Sequence, residues 1–165
     1  MLEPCFGCGA LVPRLDGPTH RYLGASPGCW ATYGKLLEKE YSDFRYARVH
    51  QFSVDAYCTQ HPGTPSPQTI QSVAVHLISL HLQLECGLSP EDMIAARQQA
   101  TSLGKEGKKD FAWLEPPASL GEVTVIYARD AKNSTEYVER VREWAESSWE
   151  AWSPYHETVR RWAAS

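Results

Sequence analysis

The segment best suited to chemistry is Cys5-Phe-Gly-Cys8-Gly. Two thiolates with two residues between them can grip one metal ion from a tight turn, while glycine supplies unusual backbone angles and bares amide N–H groups to the sulfurs. A redox pair is the rival use of this spacing. Redox motifs usually follow a strand and open a helix, and no strand pattern precedes Cys5. A structural zinc ion is therefore the expected occupant. It needs two more ligands. Cys29 is the best third one, because the first turn of a helix expected there stabilises a thiolate. His20 completes Cys-x2-Cys-x11-His-x8-Cys, a compact local set of Cys5, Cys8, His20 and Cys29. Cys58-Thr-Gln-His61 is a competing pair that closes the site as three cysteines and a histidine, or as four cysteines. Cys86 reads as a small buried apolar side chain.

A second polar site is expected from Asp55, His61, His76 and His156. Three imidazoles converging from different helices, with water, make an open site for a second metal ion that activates water or a thiol. Asp55 would orient one histidine. The competing reading of each is a hydrogen-bonded core residue. Helix arithmetic sets a difficulty for His61. His76 lies ten residues past the expected cap at Ser66, roughly 15 Å along its helix, which favours His50 or Asp55 as its neighbour. Trp144, Trp149, Trp152 and Trp162 either fill the core or line a pocket for a small organic ligand. No glycine-rich phosphate loop occurs, since Gly7-Cys-Gly9 leads into no helix.

The elements that must position these residues are mostly helical. Residues 1–25 are rich in Pro and Gly and read as a knuckle followed by loop. Ser26-Pro27 opens a helix to about Tyr41, with Trp30, Tyr33, Leu36 and Leu37 inward. Ser42-Asp43 opens a second, to about Gln60, and Ser66-Pro67 caps a third that carries the apolar stripe Ile70, Val73, Ala74, Leu77, Leu80, Leu84 up to Gly87. Ser89-Pro90 starts a short helix to about residue 102. Val123–Tyr127 reads as one short strand with nothing to pair with. Asn133 and Glu136 make a capping box for a last helix to about residue 163, kinked or split at Pro154. The fold class is mainly α: a bundle of four longer helices and one short one with an N-terminal zinc knuckle. One domain is expected over 1–165, comprising a knuckle region at 1–30 and a bundle at 31–165 with an irregular segment at 104–133.

The net charge of -4 argues against a nucleic-acid partner, which needs a basic face. The run Lys105–Lys109 is offset by Glu106 and Asp110 and reads as solvated loop. No segment reaches the roughly 18 apolar residues of a membrane span, and MLEPCFGCGA lacks the basic region and apolar core of a signal peptide. The expected compartment is the cytoplasm, where thiols stay reduced and five cysteines serve as ligands or core residues.

The chain resembles a bacterial domain-of-unknown-function family whose members begin with a C-x-G-C-G knuckle. The matching stretches are Cys5-Phe-Gly-Cys-Gly, Asp16-Gly-Pro-Thr-His-Arg-Tyr, Ala25-Ser-Pro-Gly-Cys-Trp, Val49-His-Gln, Val54-Asp-Ala-Tyr, Gln60-His-Pro-Gly, Gln71–Leu77, Trp113-Leu-Glu-Pro-Pro and Trp152 through Trp162. The resemblance implies that Cys5, Cys8, His20, Cys29, Asp55, His61, His76 and His156 belong to recurring motifs and that Cys58 does not. It also implies an acidic residue near Val125–Ala128, and His where this chain has Tyr137. It brings no reaction. The reading that follows is a small zinc protein, either a metal-dependent enzyme acting on a small organic substrate or a non-catalytic zinc-stabilised module that binds a protein partner or regulates.

Overall fold

The computed structural model describes residues 1–105 and 110–164. Its basic run at Lys105–Lys109 lies outside the described residues, apart from the backbone of Lys105, which ends a helix. The chain starts with a hairpin of β1 (Leu2–Pro4) and β2 (Leu11–Pro13), antiparallel with Glu3 opposite Val12. Side chains alternate across a strand, so Val12 is buried while Leu2 and Leu11 face outward. Among the described residues the other regular elements are helices, joined by irregular segments of which 14–26 and 110–124 are the longest: α1 (Pro27–Ser42), α2 (Phe44–Ala47), α3 (His50–Gln60), α4 (Pro67–Leu84), α5 (Pro90–Lys105), α6 (Val125–Arg129), α7 (Ser134–Ala151) and α8 (His156–Ala164).

The start signals act as their chemistry requires, with one exception. Ser66 accepts from the Thr69 N–H, and the Thr69 hydroxyl returns a bond to the Ser66 N–H, a reciprocal box with Pro67 behind it. Asn133 accepts from the Glu136 N–H. Pro27 opens α1 as expected, but the Ser26 hydroxyl does not cap that helix; it accepts from the Phe6 N–H at 3.0 Å and ties the knuckle to α1. Pro154 splits the last helix through a 3-10 turn at Ser153–Tyr155.

Two expectations need correcting. The second helix is not continuous: it breaks between α2 and α3, and α3 restarts at His50. The segment read as a strand forms α6 instead. A lone strand has no edge to pair with, whereas one helical turn buries Val125 and Ala128 together against α7.

Helix α3 is the hub, packed between α4 and α7, with α8 on α4. One apolar cluster runs from Cys5 and Val12 of the knuckle through Tyr33, Leu36 and Leu77 to Trp144 and Trp152. Trp144, Trp149 and Trp152 fill it, with Trp162 packed against its edge. Trp144 and Trp152 are fully buried, and their ring N–H groups donate to Gln60 Oε1 and the Thr59 carbonyl.

Candidate metal centre

The knuckle turn is closed by two backbone bonds, Cys5 N–H to the Ala10 carbonyl and Gly9 N–H to the Cys5 carbonyl, with Gly9 at φ 77°. This turn points Cys5 and Cys8 at the first turn of α1, which carries Cys29, and at the end of α3, which carries His61. The three sulfurs and one imidazole nitrogen all lie within 4.8 Å of one another. Cys8 Sγ is 3.9 Å from Cys29 Sγ, and His61 Nε2 is 3.7 Å from Cys5 Sγ and 3.5 Å from Cys29 Sγ. Zinc bonds of about 2.3 Å to sulfur and about 2.0 Å to nitrogen give a tetrahedron with edges of about 3.5–3.8 Å. The spacing therefore fits one tetrahedral ion, and the sulfurs are far too distant for disulfides.

The surroundings fix each donor. The Gly7 and Ser26 N–H groups point at Cys5 Sγ, both at 3.4 Å, and the Tyr57 hydroxyl donates to Cys29 Sγ at 3.5 Å. His61 Nδ1 lies 2.7 Å from the Tyr57 carbonyl. A carbonyl only accepts, so Nδ1 carries the proton and Nε2 presents its lone pair to the sulfurs, the tautomer a metal needs. The electrostatics point the same way. Contacts from Cys29 and Cys8 hold the Cys5 thiol far below its usual range, while Cys5 and Cys8, with burial, drive Cys29 far above it. Burial disfavours the His61 imidazolium, yet Cys5 and Cys8 lift it to about 9. Three adjacent sulfurs cannot all ionise on their own, and a divalent cation is what lets them do so.

The expected fourth ligand, His20, is placed elsewhere. Its Nδ1 accepts from the Tyr22 and Leu23 N–H groups at 3.3 and 3.2 Å, and its ring meets Tyr22 and Trp30 edge-on. It shapes the loop beneath the knuckle, and burial together with Arg21 lowers its pKa. His20→Ala is thus expected to keep a full equivalent of zinc. The argument against a redox pair also changes its ground: a strand does precede Cys5, but a second strand follows Cys8 where a redox motif would have a helix.

Gly7 is packed so closely that a Cβ there would collide with the Gly24 carbonyl oxygen and with His61 Cδ2. Gly7→Ala should push His61 off its position, costing about 1–3 kcal/mol as overpacking does. Competition with a chelator would read the loss as weaker zinc retention, while unchanged retention would show that the turn yields.

The histidines expected to converge are kept apart. His61 belongs to the sulfur cluster. His156 donates from Nε2 to the Trp149 carbonyl at 2.8 Å and stacks on that indole at 3.7 Å. His76 pairs through Nδ1 with Asp55 at 2.7 Å. Asp55 is fully buried and also accepts from Ser79 Oγ (2.5 Å), Gln83 Nε2 (2.8 Å) and Gln51 Nε2 (2.9 Å). Burial opposes the His76 imidazolium, but Cys58 and Asp55 beside it raise its pKa to about 10. Among the described residues, the sulfur cluster is the only group of three or more Cys, His, Asp or Glu side chains arranged to hold an ion, so the second metal site expected from Asp55, His61, His76 and His156 does not assemble.

The sequence pattern of a family of unknown function, DUF5946, matches residues 3–153. The chain belongs to that family. No curated protein and no solved structure matches it. The DUF5946 match contains Cys5, Cys8, Cys29 and His61 and stops short of His156. It also spans a buried carboxylate cluster that the sequence reading missed. Glu40 is buried and held by His50 Nδ1 (2.7 Å), Ser53 Oγ (2.7 Å) and the Tyr137 hydroxyl (2.5 Å). Burial first, and then Glu40, push the Tyr137 pKa up, so Tyr137 stays a donor. The signal was present: Glu40 continues the inward stripe of Cys29, Tyr33 and Leu36.

Proposed function

We propose that this DUF5946 member is a zinc-stabilised helical module whose single metal ion is structural and whose role is to bind a protein partner. One observation carries the reading: four protein ligands drawn from the hairpin, α1 and the end of α3 leave no corner of the tetrahedron for water or substrate. A catalytic zinc keeps one position open. Two further features support the module over the enzyme. A cleft between residues 15–18 and α1 is lined by Trp30, Pro27 and Leu15, an apolar surface that a partner's side chain can fill. Leu2, Phe6 and Leu11 stand exposed around the knuckle, apolar surface of the kind that partners cover.

No helix among the described residues is long and apolar enough to cross a membrane. The reading includes a reducing compartment such as the cytoplasm, which keeps Cys5, Cys8 and Cys29 available as thiolates. It also takes 1–165 as one folding unit, since knuckle and helices share a core.

Elemental analysis of protein made without a histidine tag tests the reading. One zinc per chain is expected in both the parent and His20→Ala. A second equivalent in the parent would return the enzyme reading to the front, and loss of zinc in His20→Ala would overturn the ligand set.

A further inference from the structure

Cys86 is exposed, not buried as its residue type suggested. α4 ends at Leu84, and Gly87, at φ 66°, turns the chain away and leaves Cys86 on the corner. Its sulfur lies 3.7 Å from His81 Nε2. On the other side of that ring, Nδ1 lies 2.6 Å from Glu85 Oε1. Glu85 is gripped in turn by Arg160 of α8, with contacts of 3.0 and 2.6 Å to its two oxygens. The His81 side chain is only 12% exposed, and its ring lies against Trp149.

We propose that Cys86, His81 and Glu85 form a reactive-thiol site whose substrates are low-molecular-weight disulfides. Thiol, imidazole and carboxylate follow one another across the two nitrogens of a single ring. Such an order fixes Nδ1–H on the carboxylate and leaves Nε2 bare to take the thiol proton. Arg160 hydrogen bonds hold the Glu85 carboxyl down at about 2, against the opposing effect of burial, so the carboxylate is ionised when His81 takes a proton. The helix end alone would work against a thiolate, because its carbonyls present the negative pole. The imidazolium offsets that field.

In the step, the Cys86 proton passes to His81 Nε2 and the sulfur attacks one sulfur of R–S–S–R. The R–S–S–R bond breaks as the Cys86–S–S–R bond forms. The departing RS⁻ takes the proton from His81 and leaves as RSH. The thiol is oxidised and half of the small disulfide is reduced. Acyl transfer is the poorer fit. The Cys86 N–H, which would serve an oxyanion, donates to the His81 carbonyl instead. Disulfide exchange needs no such donor. The remaining thiols of this chain lie in the metal centre or on α3, so the product is a mixed disulfide that an external thiol reverses.

The inference goes beyond the zinc reading and does not depend on it. The test uses full-length, zinc-loaded protein and 2-hydroxyethyl disulfide, with peptide mass mapping to follow Cys86. Its rate should exceed that of N-acetylcysteine amide at the same pH by about 100-fold or more, the lower edge of general-base assistance. His81→Gln should bring the rate down to that of the free thiol, with zinc content and helical signal unchanged. A parent Cys86 no faster than the free thiol would overturn the proposal without any variant. So would a His81→Gln protein that reacts as fast as the parent.

Discussion

Cys29→Ser should yield protein with almost no zinc and a melting point lowered further than any other single substitution lowers it. Cys29 sits in the first turn of α1, touches Cys8 and His61, and receives the Tyr57 hydroxyl. Removing it takes one corner from the ion and one from the junction of hairpin, α1 and α3. Structural zinc sites of this ligand type contribute roughly 10–16 kcal/mol of apparent binding energy, and that energy is folding energy. Most domains have only about 5–15 kcal/mol of net stability, so a large fraction of the total is at stake. Elemental analysis and thermal unfolding check the result, and a strong chelator added to the parent should reproduce it. A Cys29→Ser protein that loses zinc yet melts with the parent would show that the ion is a passenger.

Asp55→Asn should lower the melting point while leaving zinc at one equivalent. The carboxylate accepts from four side chains in a fully buried position. An amide oxygen replaces only half of it, and the new NH2 faces donors. Breaking a buried charged pair costs about 3–5 kcal/mol, which at about 2–4 °C per kcal/mol for a chain of this size is roughly 6–20 °C. The companion residue adds a pH signature. His76 is raised to about 10 in the folded protein, against about 6.5 in an unfolded chain. A raised histidine contributes stability that is fully present below about 6.5 and is lost as pH rises through about 10. The stability gap between the parent and His76→Gln should therefore shrink across that window. A constant gap would mean that the pair is not an imidazolium and a carboxylate.

How far the sequence carried the reading depended on how local each signal was. The start signals at Pro27, Ser66 and Asn133 and the split at Pro154 are written in three or four neighbouring residues, and those helices stand where expected. The Cys-x2-Cys turn is equally local, and Cys29 follows from the helix it opens. His61 against His20 was a choice between a ligand close in sequence and one close in space. Spacing favours the first, while the return of α3 to the knuckle, which only packing decides, delivers the second. The strand read at Val123–Tyr127 failed for a related reason: an apolar run without a periodic context does not say whether it will pair or coil. The Asp55–His76 contact is the instructive case. Rise per residue pointed to a neighbour deeper in α3 than His61, and the pair at 2.7 Å is what that arithmetic favoured. Glu40 was overlooked because a charged residue on an apolar stripe is easily read as a fault in the stripe.

The order of the ligands along the chain has a consequence for how the protein is made. All four proposed ligands, Cys5, Cys8, Cys29 and His61, precede α4 and every later helix. At a synthesis rate of roughly 5–20 residues per second, the set is complete seconds before α7, which buries the far side of α3, has been translated. The ion can thus be captured by a nascent chain still attached to the ribosome. The hairpin, α1 and α3 would then stand ready as a template on which the later helices dock.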